Sequence, residues 1–567
     1  MELLDGLFFG LASSVKFVHE WWRNSMNSVD FSNPKFHEVI TLRKPSVDSS
    51  VTHVGETELN TTTKGTRVID QVAQVNSHSS TSRHGDATNG ALQSVSGGKS
   101  AIDLLNDAPV SPFHRRAILI SGMGFFTDAY DLFIIATVAV LVKTQWHMST
   151  AQTSWVTGAA ILGAFVGAFI FGRLADIFGR KNVYVTVALI MIVGAILSAF
   201  SPSVMWLVIS RFILGLGIGG DYPVSAVLMS EYANRKDRGR MVGLVFSMQA
   251  VGLIVGPLVG LILLASGLSD NLVWRLLLGL GALPAAGVVY LRSKMPESPR
   301  FVHHVKGGEK QAADNLALFV KGEIEDATVM GSNVTSRMSF RSFISNPKMW
   351  RLLLGTAGTW FLFDYAYYGN TLSLPVILAK VSPVATLQTK LLWTLGIFVV
   401  FALPGYLLAV AKMDRIGHRR LQFIGFFVMA LCFVVLAAVP ALTTVTVPFL
   451  AVFGVSYFFV QFGPNMTTFV LPSEVFPVSQ RTTGHGFAAG IGKLGAFAGV
   501  FLVPYLETRI GLRGMLLVAG GAAVLGFLLT NVLPEPAQLS LEEVADHHQI
   551  IQFEKVSVDV SPEAHVA

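Results

Sequence analysis

Six ionisable side chains stand inside long apolar stretches of this chain. They are Asp128 and Asp131, Arg211 and Asp221, Asp364, and Lys493. In hydrocarbon each costs at least ~2.5–3.5 kcal/mol on insertion scales, so such residues mark a pathway, a relay or a structural ion pair. Asp221 has Arg211 on its own segment as a candidate partner. A carboxyl group removed from water holds a proton more readily. Protonated, it stops repelling an anion and can donate a hydrogen bond to one, which ties anion binding to proton binding. Trp360, Asp364 and Tyr368 follow each other at four-residue intervals, so they share one face of a helix. Lys493 is the one basic residue deep in its segment, between Gly492 and Leu494.

These residues need a membrane around them, and the composition supplies one. Of 567 residues, 52% are hydrophobic and 14% charged, against about 25% charged in soluble domains. The mean hydropathy is +0.55. A soluble enzyme or a nucleic-acid binder is excluded on that balance, and a net charge of +6 is too small to suggest a polyanion surface. Cys432 is the only cysteine, which removes intrachain disulfides and cysteine metal sites. No catalytic triad or metal-ligand spacing appears, and no catalytic residue, metal or cofactor is expected. His303-His304 and His547-His548 fall in polar segments.

A membrane-crossing helix needs about 20 apolar residues. Twelve such segments are predicted: 115–142, 153–173, 183–201, 204–226, 240–264, 272–292, 350–378, 388–411, 421–439, 445–471, 484–505 and 513–533. The fold class is therefore an all-α membrane protein of two six-helix bundles. The expected domains are a largely disordered extension over 1–113, a bundle over 114–292, a central loop over 293–349, a bundle over 350–534 and a tail over 535–567. Within the extension, Leu7–Val15 is too short to span, and residues 25–112 are rich in Ser, Thr, Asn and Gly. The loops after the second, fourth and eighth segments hold Arg173, Arg180, Lys181, Arg235, Lys236, Arg238, Arg240, Lys412, Arg415, Arg419 and Arg420, while the opposite turns after the third and ninth hold no Lys or Arg. The positive-inside rule then places the central loop and both termini in the cytoplasm. The sequons at Asn60, Asn333 and Asn465 are accordingly expected to carry no glycan.

The second half echoes the first. An offset of 236 sets Gly124-Phe-Phe-Thr-Asp128 on Trp360-Phe-Leu-Phe-Asp364. An offset of 243 sets Ser230-Glu231 on Ser473-Glu474, Arg238 on Arg481 and Tyr222 on Asn465. Asp176-Ile-Phe-Gly-Arg-Lys is echoed by Asp414-Arg-Ile-Gly-His-Arg-Arg. Duplicated bundles of this kind suit a transporter with its site at mid-membrane between the halves. Asp176, Arg180, Glu231 and Arg238, with Asp414, Glu474 and Arg481, are expected to form charge-pair latches on the cytoplasmic side; topology determination alone is the other reading.

Gly172-Arg-Leu-Ala-Asp-Ile-Phe-Gly-Arg-Lys181 resembles the signature loop of the major facilitator superfamily, and Pro296-Glu-Ser-Pro-Arg300 its sugar-porter-like branch. Gly219-Gly-Asp-Tyr-Pro-Val-Ser-Ala-Val-Leu-Met-Ser-Glu-Tyr-Ala-Asn234 resembles the plant and fungal inorganic phosphate:proton symporters. So do Gly122-Met-Gly-Phe-Phe-Thr-Asp-Ala-Tyr-Asp-Leu-Phe133 and Phe462-Gly-Pro-Asn-Met-Thr-Thr-Phe469. The likeness covers about residues 112–545; Pro534-Glu-Pro-Ala-Gln departs from it. The resemblance implies proton-coupled phosphate transport by alternating access, with phosphate, protons and the lipid bilayer as partners and no nucleic acid. It implies phosphate binding by Tyr222, Gln249, Trp360, Asp364, Tyr368, Asn465 and Lys493. It implies proton coupling through Asp128, Asp131 and Asp221 with Arg211. A multi-pass protein of the plasma membrane is expected. A sugar:proton symporter or a non-transporting phosphate receptor are the alternatives. Gln249 and Asn465 also read as interhelical hydrogen bonds, and Gly215-x-Gly-x-Gly-Gly220 as close helix packing rather than a nucleotide loop.

Overall fold

The computed structural model describes residues 105–107, 109–302, 340–541 and 543–544. The expected disorder of the extension, His303-His304, His547-His548 and the sequons at Asn60 and Asn333 lie outside these residues. The described part is helical almost throughout. Twelve long helices follow one another among the described residues: α1 (Pro112–Gln145), α2 (Thr150–Phe178), α3 (Arg180–Ala199), α4 (Val204–Tyr232), α5 (Arg238–Ala265), α6 (Asp270–Lys294), α7 (Pro347–Leu372), α8 (Leu387–Ile416), α9 (His418–Ala438), α10 (Thr446–Val475), α11 (481–510) and α12 (512–529).

Ten helical stretches among the described residues are long and apolar enough to cross a membrane on composition alone. α7 is not among them, because it gives many of its positions to Thr, Tyr, Asn and Asp364. The last stretch runs through α11 and α12 without a loop. Only Gly511, at φ 70°, breaks its helical backbone, and a residue without Cβ takes that conformation at little cost. Three further helices depart from regularity. α6 divides at Gly281. α8 contains a π-helical turn, Phe398–Ala402, just before Pro404. α10 divides at Gly463, whose φ of −116° and ψ of −104° leave the helix where Pro464 has no N–H to donate. The predicted seventh segment, 350–378, is likewise two pieces, because Pro375 forces a new start at Leu374–Val381.

Helix starts carry ordinary caps. Ser149 and Gln152 form a reciprocal box at α2. Ser203 accepts from Trp206 N at α4, and Asn346 from Lys348 N ahead of Pro347. α2 crosses α4 so closely that a Cβ on Gly215 would stand 1.9 Å from Ala160 O, and one on Gly219 2.0 Å from Ala164 O. The glycine run is therefore a packing surface, as membrane helices use it. α2 lies along α11 and α5 along α8, so the two bundles meet through matching helix pairs.

Gly215→Val should leave little monodisperse protein in detergent on fluorescence-detected size exclusion. Gly287→Ala, where a Cβ has open space within 4 Å, should elute like the parent. Equal profiles would remove the packing role of the α2–α4 crossing.

Candidate transport site between the bundles

Trp360, Asp364 and Tyr368 line one face of α7, all buried. Lys493 comes from α11 to meet them. Its Nζ is 3.1 Å from Asp364 Oδ2 and donates to Tyr368 OH at 2.9 Å. The ammonium also sits 4.5 Å above the ring of Tyr222, from the first bundle, and 4.3 Å above that of Tyr368. Gln249 on α5 reaches Tyr222 OH with Nε2 at 3.5 Å. Its Oε1 accepts from Asn465 Nδ2 at 3.1 Å and from Tyr406 OH. Asn465 Nδ2 is 2.6 Å from Tyr406 OH and also bonds Gln461 Oε1, while Gln461 Nε2 donates to Tyr367 OH at 3.2 Å. Asn465 follows the break at Gly463 by two residues, and a Cβ on that glycine would strike Gly425 Cα at 2.6 Å. The break thus brings α10 against α9 and presents Asn465 to the other half. Seven sequence-nominated residues converge here. Tyr406, Gln461 and Tyr367 join them and carried no charge by which the sequence could single them out. On the basic-loop side Phe125, Phe246 and Phe469 pack together, with Phe246 and Phe469 stacked at 4.4 Å.

A second cluster lies in the first bundle. Asp128 and Asp131 on α1 are fully buried, and neither carboxyl has a hydrogen-bond partner among the described residues. A buried carboxyl without a partner is costly as an anion. Gly281 makes room for Asp131: a Cβ there would come 2.1 Å from Oδ1. Arg211 Nη2 donates to the main-chain O of Asp131 at 2.6 Å. Asp221 does not pair with Arg211, contrary to the pairing considered from sequence. Ten residues of helix separate them by about 15 Å. Its partner is Arg292, from the end of α6, in a two-pronged contact of 2.9 and 3.0 Å. Ser225 adds a bond at 3.2 Å, and Arg292 stacks on Tyr184 at 4.0 Å.

The basic-loop end is closed by a duplicated network. In the first bundle Arg180 bridges Asp176 and Glu231, each at 3.1 Å. In the second, His418 lies between Asp414 at 3.5 Å and Glu474 at 3.2 Å. Bonds then cross the seam in pairs. Arg238 binds Glu474 at 3.0 Å, and Arg481 approaches Glu231 at 4.0 Å. Asp176 accepts from Thr483 N at 2.7 Å, and Asp414 from Arg240 N at 2.8 Å. Glu297 accepts from the first amides of α3, Arg180 N at 3.2 Å and Lys181 N at 3.4 Å. Glu535 does the same for α9, with His418 N and Arg419 N both at 3.0 Å. Burial pushes the Glu297 carboxyl upward, and Arg180 beside it holds it back. Gly179 and Gly417, at φ 98° and 97°, start these helices because a Cβ would meet Glu297 or Glu535 within 2.5 Å. Pro534-Glu-Pro-Ala-Gln thus repeats the role of Pro296-Glu-Ser-Pro-Arg. Sequence reasoning missed Glu297, Glu535, His418 and Thr483; the offset of 238 that relates Asp176 to Asp414 also relates Glu297 to Glu535.

Two six-helix bundles, related by repeat and sharing a buried polar site, define a secondary transporter of the major facilitator fold. A family model described as "Sugar (and other) transporter" matches residues 116–547. Inorganic phosphate transporter 1-6 of Oryza sativa subsp. japonica is 36% identical over 503 residues, covering 78% of this chain and 94% of that protein. Inorganic phosphate transporter 1-4 of Arabidopsis thaliana is 35% identical over 514 residues, covering 79% and 96%. Among solved structures, the proton:xylose symporter XylE bound to 6-bromo-6-deoxy-D-glucose superposes with a TM-score of 0.66 at 20% identity, covering 78% of this chain and all of that one. The chain belongs to the sugar (and other) transporter family of the major facilitator superfamily, alongside the plant inorganic phosphate transporters.

Arg292→Ala should strand the Asp221 carboxylate. Removing one partner of a buried pair costs about 3–5 kcal/mol, and the melting temperature of purified protein should fall accordingly. Adding Asp221→Asn should recover much of that loss, whereas it should not rescue Arg211→Ala. The opposite rescue pattern would return Asp221 to Arg211.

Proposed function

We propose that this protein imports inorganic phosphate together with protons by alternating access. The observation that carries the reading is Lys493, a buried ammonium between the halves, ringed by neutral donors and paired with a single carboxylate, Asp364. A compact cation suits a phosphate oxygen. Tyr222, Gln249, Tyr368 and Asn465 supply neutral hydrogen bonds, and Trp360 packs beside them. A sugar has no need of the ammonium.

Asp364 and the substrate compete for one cation. Ionised, Asp364 occupies Lys493 and repels an anion. Protonated, it releases Lys493 and can donate a hydrogen bond to H₂PO₄⁻. Asp128 and Asp131 lie deeper in the first bundle with no hydrogen-bond partner among the described residues, and Asp221 is held by Arg292. These carboxyls, with Arg211 beside Asp131, form the route by which a proton accompanies the anion. In this reading the basic loops, the segment 293–349 and both terminal segments face the cytoplasm, and the membrane is the plasma membrane. The duplicated network at that end is the latch that keeps the site shut from the cytoplasm while it is open outward.

Labelled phosphate uptake into transporter-deficient cells should rise as external pH falls from neutral to mildly acidic, and a protonophore should abolish it. Arsenate should compete and glucose should not. Uptake indifferent to pH and protonophore would sink the coupling. Asp364→Asn should keep phosphate binding, measured by calorimetry, with weaker pH dependence and collapsed net uptake. Lys493→Ala should weaken binding itself by tenfold or more, since it removes a charge-assisted bond of about 1.5–3 kcal/mol. Lost binding in the first variant with normal binding in the second would reverse these roles.

Asp176→Asn weakens the seam at Thr483 and the pair with Arg180. Turnover should fall several-fold at unchanged surface expression, and cysteine labelling should report a site more open to the cytoplasm. An unchanged labelling balance would mean that the network sets topology alone.

A further inference from the structure

Gln461 is fully buried four residues before Asn465, on the other side of the break at Gly463. Its Nε2 donates to Tyr367 OH at 3.2 Å, and its Oε1 accepts from Asn465 Nδ2. One turn earlier on α10, Tyr457 OH bonds Thr371 Oγ1 at 2.6 Å, and Thr371 follows Tyr367 by one turn on α7. The two bonds are successive rungs between α10 and an antiparallel α7. The bond from Gln461 to Asn465 carries this ladder across the break to the site. Its anchors are firm. The ring of Tyr367 stacks on Phe363 at 5.3 Å and meets Tyr368 edge-on at 5.4 Å. Gly405 lets α8 come against α10, since a Cβ there would stand 3.1 Å from the Cβ of Gln461. The next residue, Tyr406, then reaches Asn465 Nδ2 at 2.6 Å.

A count of hydrogens decides what this arrangement does. Asn465 Nδ2 has two to give. Three acceptors surround it: Gln461 Oε1, Gln249 Oε1 at 3.1 Å and Tyr406 OH. Gln461 belongs to the same bundle as Asn465, so its bond persists however the bundles move. The second hydrogen is shared between Tyr406 and Gln249 of the first bundle. Gln249 Oε1 also accepts from Tyr406 OH, so it keeps a donor when Asn465 turns away. One N–H of Asn465 is thus fixed, and the other can pass to an anion without stranding a buried polar group, which is the costly outcome. Without Gln461 the amide is free to turn over and show an anion its Oδ1.

We propose that Gln461 is the positioning residue that aims the Asn465 amide at the transported anion, with Tyr367 holding its far end. Gln461 acts through Asn465 and makes no contact with the anion itself. The inference rests on the phosphate-binding role proposed for Asn465 and adds the group that sets its direction.

The test is a double-mutant cycle on phosphate binding by the purified full chain, measured by calorimetry. Gln461→Leu should weaken binding about fivefold, as loss of one net hydrogen bond does. In an Asn465→Ala background the same change should cost less than about twofold, the scatter of independent sites. The pH dependence of binding, ascribed above to Asp364, should be the same in Gln461→Leu as in the parent. Gln461→Met and Tyr367→Phe are measured beside it, so the outcome does not hang on one variant folding. Each should weaken binding and lose that effect once Asn465 is replaced by alanine. An equal loss with and without Asn465 would make Gln461 a structural strut and overturn the proposal. A lost pH dependence would move Gln461 into the proton route and overturn it as well. If the parent binds phosphate and the Gln461 variants bind it equally well, the positioning role alone fails. If the parent binds none, the transport reading fails with it.

Discussion

A lysine ammonium in the middle of a membrane bundle must be neutralised, and the way Lys493 is neutralised organises the centre of this protein. Burying an isolated ion costs several kcal/mol even after relaxation. Asp364 meets the charge, Tyr368 accepts a hydrogen bond, and two aromatic faces screen what remains. Satisfying Lys493 requires α7, α11 and α4 to converge, which places the site between bundles. The close approach of α11 to α7 provides the space, with a Cβ on Gly495 falling 2.2 Å from Phe361 O. The site and the packing that holds it are thus one problem with one solution. The pair is also self-limiting, since a carboxylate that fully satisfies the lysine leaves nothing for an incoming anion.

The remaining polar groups separate by how completely they are paired. At the basic end every acid of the network meets at least one cation or amide, and most bonds have a counterpart in the other half. In the first bundle Asp221 is satisfied by Arg292, yet Asp128 and Asp131 three residues apart are not. A structural role predicts partners. Asp128 and Asp131 have no hydrogen-bond partner among the described residues, so burial gives their ionised forms little local support. Among the described residues the paired carboxyls are spread over α2, α4, α8 and α10 and the segments after α6 and α12, whereas the two buried ones without a hydrogen bond both lie on α1.

Much of this was visible in the chain before any coordinates. Apolar runs of span length gave the helices, and charged or aromatic landmarks gave the duplication, because both survive as one-dimensional patterns. The seventh segment, 350–378, is read from sequence as one of the twelve apolar runs, although the polar content of α7 takes it out of the spans that composition alone supports. What the sequence hid depends on distance in space. Arg292 ends the sixth predicted segment with nothing in the sequence to mark its partner, and it turns inward to Asp221. Tyr406 and Gln461 are neutral and sit in apolar surroundings, where nothing marks them until Asn465 is seen beside both. Glu535 stood in a segment that departs from the family pattern, and its capping of α9 required the fold to bring residue 535 to residue 418. Helix breaks at Gly281 and Gly463 were invisible for a similar reason: a glycine in an apolar run signals packing as readily as interruption.

The closure at the basic end has one more property. Arg238 with Glu474 mirrors Arg481 with Glu231, Thr483 with Asp176 mirrors Arg240 with Asp414, and Ser230 Oγ bonds the main chain of its own counterpart, Ser473, at 3.1 Å. Residue i of one half meets residue j of the other, and j meets i. That is the rule of an isologous dimer interface, here enclosed within a single polypeptide. The two halves are not identical: imidazole stands in the second half where guanidinium stands in the first, and the two cross-seam ion pairs differ by a full ångström. The seam has two unequal sides, so it need not part evenly.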